Sequence, residues 1–509
     1  MIQKNKTFAS FAFGCRVNQA EKEMLDRQLL ASGFSYDSKN PHLYLINTCA
    51  VTAKAEREAR QLVYRLKRLL PNTRIIVTGC AATKWINENT KVEGVDWIID
   101  NNNKEYISQL LNSKLLQPEI PGLETDINAT KSRINNKDTT LWQEKRVQKK
   151  PRVSENSGIE AYKARYKPQI SDKFINSGRL LVKIQDGCQR FCTFCIVPYL
   201  RGQPKSRRIA EIVKSINKFT NLENAGGAKE GSQSKLHGLE SRPSRDDFEA
   251  GIGKPARQDP HIKEVILTAI NTQAYGYDTG QSFIDLLNNI IDKTRIPRIS
   301  FGSIHPWSID DDFFRFYKSA LNHERLVKFF HIPLQSGSNK ILSYMKRGYT
   351  REEFMEKLKT LEKIHPMTFI GTDIIAGFLE ETDRDFEDTY NFLSKTPISK
   401  FHVFRFNRRE KTAAYFMAKR LSEPTPAQKK KRVKALIELS QRKYQMFLEK
   451  HIGLVFPVLL IDKASKGYRQ GLLNNQIPVD IKSDKETGDI IEEVRIESVA
   501  KGRLRGNTV

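Results

Sequence analysis

Short apolar runs alternate with amphipathic stretches over the first hundred or so residues. Thr7–Phe13 (TFASFAF) reads as a strand and Gln19–Ser32 as an amphipathic helix closed by Gly33. Leu43–Asn47 (LYLIN) is a second strand, Ala53 to Leu70 a helix that stops before Pro71, and Arg74–Thr78 (RIIVT) a third strand. A β-α-β-α-β order implies a small parallel sheet with right-handed crossovers.

Periodicity disappears from about Gln117 to Ser177, a polar, basic stretch that reads as a linker or insertion. Strand–helix repeats then resume, with strands at Leu180–Gln185, Glu264–Ala269, Arg298–Ser303, Val327–Ile332, Phe369–Ile375 and Lys400–Phe406. Six units are too few for a closed eight-fold barrel. They predict a partial, open β/α barrel of the TIM type, with its chemistry at the C-terminal ends of the strands. A low-complexity segment from about Asn221 to Pro260 reads as a disordered loop inside it. After His451 come short strands (LVFPVLLI, QIPVDIK, IIEEVRI) broken by Gly and Asn, the pattern of a small all-β barrel. The fold class is therefore α/β. The 509 residues divide into a first domain over 1–116, a linker or insertion over 117–177, a barrel over 178–440 and a final domain over 441–509.

Charge narrows the partners. Lys and Arg number 85 against 59 Asp and Glu, a net charge of +26, which favours a polyanionic partner without bearing on fold. The excess is concentrated, with 14 Lys or Arg against 4 Asp or Glu between Arg405 and Lys450. Its densest part is Lys429, Lys430, Lys431, Arg432 and Lys434, on a helix candidate leading into the final domain. That run reads as a phosphate-binding stripe, set against the plainer reading of a solvated face. No apolar run reaches the roughly 18–20 residues of a membrane span, and the polar N-terminus lacks the apolar core of a signal peptide. The sequence thus predicts a cytoplasmic protein with no membrane partner.

The six cysteines fall into two sets of three. Cys188, Cys192 and Cys195 form C-x3-C-x2-C in DGCQRFCTFC, directly after the apolar strand LLVKI. Three thiolates on one loop can hold three corners of a [4Fe–4S] cube and leave the fourth iron open to a substrate. A structural zinc site normally takes four protein ligands, and no fourth Cys or His lies in this loop. Cys15, Cys49 and Cys80 are far apart in sequence, yet each immediately follows a predicted strand (FAFGCRVN, LINTCAVT, VTGCAAT). Strand ends of a parallel sheet share one edge, where ligands bind, so these three can converge into a second cluster site. Core filling is the plainer alternative. In a long chain without a signal peptide, thiols stay reduced and serve metal or chemistry rather than disulfides.

The same residues carry a resemblance. GCRVNQAE (Gly14–Glu21), INTCAVT (Ile46–Thr52), TGCAA (Thr78–Ala82), CQRFCTFCIVPYLRG (Cys188–Gly202), HIPLQSGSNKILSYMKRGYT (His331–Thr350) and GTDIIAGF (Gly371–Phe378) are similar to the signature runs of the radical S-adenosylmethionine methylthiotransferases. The resemblance implies an N-terminal methylthiotransferase domain with an auxiliary [4Fe–4S] cluster on Cys15, Cys49 and Cys80. It implies a radical-SAM partial barrel with its own [4Fe–4S] cluster on Cys188, Cys192 and Cys195, and a C-terminal TRAM domain that binds RNA. The form GCRVNQAE, rather than a GCQMN-like version, most resembles the MtaB branch, which modifies N6-threonylcarbamoyladenosine next to the tRNA anticodon. In the implied reaction, one electron cleaves S-adenosylmethionine at the open iron of the barrel cluster. The resulting 5′-deoxyadenosyl radical takes hydrogen from C2 of the adenine. Sulfur presented by the auxiliary cluster, methylated by a second S-adenosylmethionine, is delivered to that carbon. No catalytic side chain beyond the cluster ligands is implied. The implied partners are tRNA and an electron donor such as a flavodoxin or ferredoxin.

Supporting positions follow from the same resemblance. Asn271, Tyr275 and Gly276 (AINTQAYG) end the second barrel strand, and Gln335 and Ser336 the fourth, where the family contacts S-adenosylmethionine. Each is equally an ordinary turn residue. Arg201 in YLRG could neutralise a carboxylate or a phosphate. Two departures put local cofactor or substrate contacts in question: GFLEE (Gly377–Glu381) has Leu379 and Glu380 where Pro–Gly is usual, and RFNRREKT (Arg405–Thr412) has Lys411 in place of Gly. Competing functions are methylthiolation of isopentenyladenosine in tRNA or of a ribosomal-protein side chain. From another class comes a non-catalytic RNA-binding protein with structural metal, which needs four-ligand sites. Residues 441–509, with 12 Lys or Arg against 9 Asp or Glu, favour RNA only mildly.

Overall fold

A computed structural model describes residues 6–112, 177–220, 262–319, 324–463 and 468–509. The expected linker at 117–177, save its last residue, and the expected loop at 221–260 lie outside the described residues.

Strands β1 (Thr7–Ala12), β2 (Ser35–Tyr36), β3 (Leu43–Thr48), β4 (Arg74–Gly79) and β5 (Trp97–Ile98) form one sheet in the order β2-β1-β3-β4-β5, every pair parallel. The three long strands are the expected ones. Both edge strands are two residues long, too short for any periodicity to mark. Helix Arg16–Ala31 packs Leu25 and Leu29 on one face, against Phe8, Leu45 and Ile76. Helix Ala53–Leu69 packs Ala59, Leu62 and Leu66 on the other, against Tyr44, Ile46 and Val77. Burial on both faces explains why these strands read as unbroken apolar runs.

The second unit comprises β6 (Arg179–Asp186), β7 (Lys205–Ser206), β8 (Glu264–Ala269), β9 (Arg298–Phe301), β10 (Phe329–His331), β11 (Phe369–Ala376) and β12 (Lys400–Arg405). The six expected strands pair in parallel as β6-β8-β9 and β10-β11-β12, and β7 adds an antiparallel edge beside β6. One parallel bridge, Ile299–Leu326, joins the halves, so the open barrel has a seam between β9 and β10. Its outer helices press Ile212, Leu286, Phe313, Leu358 and Leu393 onto Val182, Val265, Ile299, Phe330 and Ile370.

Strands β13 (Val455–Lys463), β14 (Tyr468–Leu473), β15 (Pro478–Lys482), β16 (Ile490–Ala500) and β17 (Arg503–Thr508) close a small barrel in the order β13-β14-β15-β17-β16. Helix Pro426–Glu449, opened by a Thr425–Gln428 capping box, runs unbroken through the expected division at residues 440 and 441. It buries Leu436 and Leu439 in the β/α core, and Phe447 and Leu448 in the small barrel. The small barrel seats against the strand starts of the β/α unit. Arg298 donates to the carbonyl oxygens of Leu472 (3.2 Å) and Leu473 (2.8 Å), the Gln476 amide reaches the Glu264 carboxylate at 3.0 Å, and Phe369 joins the small barrel's core. Glu264, Arg298 and Phe369 are the first residues of β8, β9 and β11, so this contact lies at the end opposite the loop that leaves β6 at Asp186. Among the described residues no helix is long and apolar enough to cross a membrane.

Candidate functional site

Three adjacent strand ends place the first cysteine set. Cys15 caps helix Arg16–Ala31 just after β1, Cys49 follows β3, and Cys80 opens helix Cys80–Asn87 directly after β4. The connecting loops press together. A Cβ on Gly14 (φ +85°) would fall 2.6 Å from both Cβ and Sγ of Cys49, and one on Gly79 (φ +94°) would fall 2.3 Å from Asn47 Oδ1. Only glycine meets both the left-handed backbone and the approach. Cys15 precedes the first turn of one helix and Cys80 opens another, and desolvation pushes the Cys15 thiol up.

The second set lies on the loop after β6, which other segments clamp. Cys188 N–H donates to Gly202 O (3.1 Å), Thr193 N–H to Met345 O (3.1 Å), and Ala414 N–H to Thr193 O (2.7 Å). All six cysteines are free thiols. Burial, reinforced by neighbouring cysteines, pushes the Cys49 and Cys195 thiols up to about 12. Bare thiolates are therefore disfavoured there, and a set of irons would supply the missing counter-charge. Among the described residues no three Cys, His, Asp or Glu side chains converge on a point that a single metal ion could occupy. Sets of three thiols suit a cube, in which each sulfur takes a different iron.

The segment that follows the second set packs against the unit that carries the first. Downstream of Cys195, Ile196 and Leu200 insert into the N-terminal core beside Cys49 and Cys80. Arg201 is buried beside Cys80. It donates to Cys80 Sγ (3.2 Å), Glu21 (2.8 Å), Asp186 (2.8 Å) and Asn18 Oδ1 (2.6 Å). The anions that it neutralises are thus the protein's own. Lys104 (2.6 Å) and Lys183 (3.1 Å) also pair with Glu21. Burial would raise the Glu21 carboxyl, but Arg201, Lys104 and Lys183 together hold it well below the usual carboxylate range. From the barrel's far side Arg409 reaches Ala50 O (2.5 Å) and Glu56 (2.8 Å), fixing the loop after Cys49.

At the strand ends the barrel presents a ring of cationic and aromatic groups. The Arg190 and Arg347 guanidiniums lie 4.2 and 4.8 Å from the Trp307 ring centre, and His305 stacks on the same indole at 5.3 Å. Desolvation, then the charges of Arg347 and Arg190, pull His305 down to about 3, so it is neutral. Arg347 also donates to Cys192 Sγ at 3.2 Å. Sequence reasoning passed over His305, Trp307, Arg190 and Arg347. Their signal was position, since each lies beside a strand end or within a quoted motif.

Of the expected S-adenosylmethionine contacts, Asn271 is at this mouth, where its Oδ1 accepts from Trp307 Nε1 (3.1 Å). Gln335 lies four residues beyond β10, bridged to Ile374 of β11, with φ +81°. Tyr275, Gly276 and Ser336 are engaged by the fold. The Tyr275 hydroxyl donates to Arg207 O (2.8 Å), the Gly276 N–H to Ser206 Oγ (2.8 Å), and Ser336 Oγ accepts from Ser338 N–H (3.2 Å).

The basic stripe requires a correction. Lys429 and Arg432 are buried and face inward. Lys429 pairs with Glu423 and lies 5.2 Å from the Phe406 ring centre, while Arg432 pairs with Glu381 and Asp383 at 2.8 Å each. Neither is available to a phosphate. Lys430, Lys431 and Lys434 are exposed. At the two departures, Glu380 and Lys411 both adopt left-handed backbone, φ +58° and +67°.

The family model of UPF0004, described as an uncharacterized protein family, matches residues 7–100, and that of the radical SAM superfamily matches residues 249–393. The chain is 30% identical over 480 residues to a threonylcarbamoyladenosine tRNA methylthiotransferase MtaB of Aquifex aeolicus, covering 94% of this chain and 97% of that one. It is 28% identical to a tRNA-2-methylthio-N(6)-dimethylallyladenosine synthase of Pelotomaculum thermopropionicum, over 91% of this chain and 88% of that one. Among solved structures, the radical S-adenosylmethionine methyltransferase TsrM of Kitasatospora setae matches with a TM-score of 0.47 and 12% identity, over 81% of this chain and 77% of that one.

Proposed function

The chain belongs to the radical S-adenosylmethionine methylthiotransferases, and on that footing we propose that it acts on tRNA, adding a methylthio group to C2 of N6-threonylcarbamoyladenosine next to the anticodon. Its cofactors are S-adenosylmethionine and two [4Fe–4S] clusters. In this reading Cys188, Cys192 and Cys195 hold one cluster, and Cys15, Cys49 and Cys80 the other. The observation that carries the reading is that there are two separate three-thiol sets, and that the segment following the second, through Ile196, Leu200 and Arg201, packs against the first beside Cys49 and Cys80. A structural-metal protein would call for four ligands around single ions.

When bound, the clusters and S-adenosylmethionine supply one-electron chemistry and the transferred sulfur. The chain's residues do the rest. Ile196 and Leu200 cover Cys49 and Cys80 from water, Arg409 and the Thr193 clamps hold the cysteine loops in register, and the Trp307 ring with its flanking guanidiniums gives a flat cationic face at the mouth. A net charge of +26 and the outward Lys430, Lys431 and Lys434 support a polyanionic substrate. The choice of nucleoside rests on GCRVNQAE and on the 30% identical relative. A cytoplasmic setting and a flavodoxin- or ferredoxin-type electron donor go with this reading.

Mass spectrometry of tRNA nucleosides from cells with and without the protein is the test. Without it, the 2-methylthio form of N6-threonylcarbamoyladenosine should vanish and the unmodified nucleoside accumulate. Loss of the methylthiolated isopentenyladenosine instead would reassign the substrate within tRNA. Unchanged tRNA with an altered ribosomal protein would move it outside RNA.

A further inference from the structure

Each cysteine set has one sulfur that receives an N–H from a buried guanidinium: Arg201 Nε lies 3.2 Å from Cys80 Sγ, and Arg347 Nη1 lies 3.2 Å from Cys192 Sγ. Neither arginine is free to swing away. The Arg201 side chain is 1% exposed, and its remaining N–H groups are held by Glu21, Asp186 and Asn18. Arg347 is 5% exposed, its Nη2 donates to Pro333 O (2.9 Å), and its Nε donates to the Tyr349 hydroxyl (2.9 Å). Because a guanidinium is a rigid planar fork, fixing its other donors also fixes the direction of the N–H aimed at sulfur.

We propose that Arg201 and Arg347 are positioning residues that set the reduction potentials of the two clusters, Arg201 for the one on Cys15, Cys49 and Cys80 and Arg347 for the one on Cys188, Cys192 and Cys195. Reduction adds negative charge to an iron–sulfur unit, part of which resides on the ligand sulfurs. An N–H donor held against such a sulfur stabilises the reduced form more than the oxidised form, so the potential rises. Separate donors let the two potentials be set independently, which suits a protein in which one cluster must pass an electron to a sulfonium and the other handles sulfur. The inference rests on the assignment of the two cysteine sets given above.

The test is a spectroscopically monitored redox titration of the full chain after anaerobic loading. It compares wild type with Arg201→Lys and Arg347→Lys, each in a background where either Cys15, Cys49 and Cys80 or Cys188, Cys192 and Cys195 are changed to Ala. One cluster then remains to be read at a time. Lysine keeps the buried positive charge but lacks the fork. Arg201→Lys should make reduction of the Cys15–Cys49–Cys80 cluster about tenfold less favourable, about 59 mV lower for one electron, and leave the other cluster unchanged. Arg347→Lys should do the reverse. Unchanged potentials, or equal shifts of both clusters by either variant, would overturn the proposal. If a variant loads poorly, iron loss confined to the cluster its arginine touches supports the proposal, and loss of both overturns it. A background protein that binds no cluster would overturn the cysteine assignment and this inference with it, an outcome distinct from a bound cluster of unaltered potential.

Discussion

Lys411 and Glu380 stand where the family resemblance leads one to expect glycine, and both hold backbone angles that glycine adopts freely. A side chain in the left-handed region costs about 1–2 kcal/mol. Glu380 recovers much of this, since its carboxylate accepts from Ser422 N–H (2.5 Å) and Oγ–H (2.9 Å). Lys411 is exposed. Restoring glycine there removes the strain but returns about 0.5–1 kcal/mol of chain freedom to the unfolded state. Lys411→Gly should therefore stabilise the protein by about 0.5–1 kcal/mol, seen as a higher urea midpoint. Glu380→Gly should be close to neutral, because the Ser422 contacts go with the strain. A lower midpoint for Lys411→Gly would show that its conformation carries no cost. The departures were legible as letters in the chain. What they meant was not, because backbone angle is decided by the turn as a whole and by Ser422, 42 residues away.

On helix Pro426–Glu449, Lys429, Arg432 and Leu436 fall at i, i+3 and i+7 and share the inward face, while Lys430, Lys431 and Lys434 point out. Changing the three outward lysines to Gln should make the salt dependence of tRNA affinity shallower by up to about 2.7 log units per log unit of salt, at 0.9 per phosphate contact, with little change in stability. An unchanged slope would remove this helix from the RNA footprint. Arg432→Gln should instead lower stability by about 1–3 kcal/mol, because it leaves the buried Glu381 carboxylate without its counter-charge and with only the Gly377 and Phe378 N–H groups, and a thermal melt would show it. The sequence displayed five cations in six positions but not their partners, since Glu381 lies 51 residues upstream. The helical spacing of Lys429, Arg432 and Leu436 was the available clue. For the same reason the long strands were legible as apolar runs, whereas β2 and β5 owe their existence to the neighbour that they pair with.

Across the molecule the cysteine sets belong to different units that meet through Leu200, Arg201 and Arg409. Removing Cys15, Cys49 and Cys80 should halve the bound iron, to about four irons per chain, and abolish methylthiolation, yet leave reductive cleavage of S-adenosylmethionine in place. Removing Cys188, Cys192 and Cys195 should abolish that cleavage. Assays of iron and 5′-deoxyadenosine separate the two outcomes, and methylthiolated nucleoside from the first variant would refute the second cluster. That Cys15, Cys49 and Cys80 each follow a strand at one edge of the same parallel sheet could be inferred from strand order alone. The seating of the small barrel could not, because the Arg298–Leu473 contact joins residues 175 apart in the chain. That seating sets a minimum reach. The small barrel touches the first residue of β11, the cysteine mouth lies beyond the opposite end, and the eight residues of β11 span about 26 Å. A single nucleotide spans one end only. On the proposed function, an RNA held at both ends would be gauged by length as well as by base, so a fragment carrying the same target should be a poorer substrate than the folded tRNA.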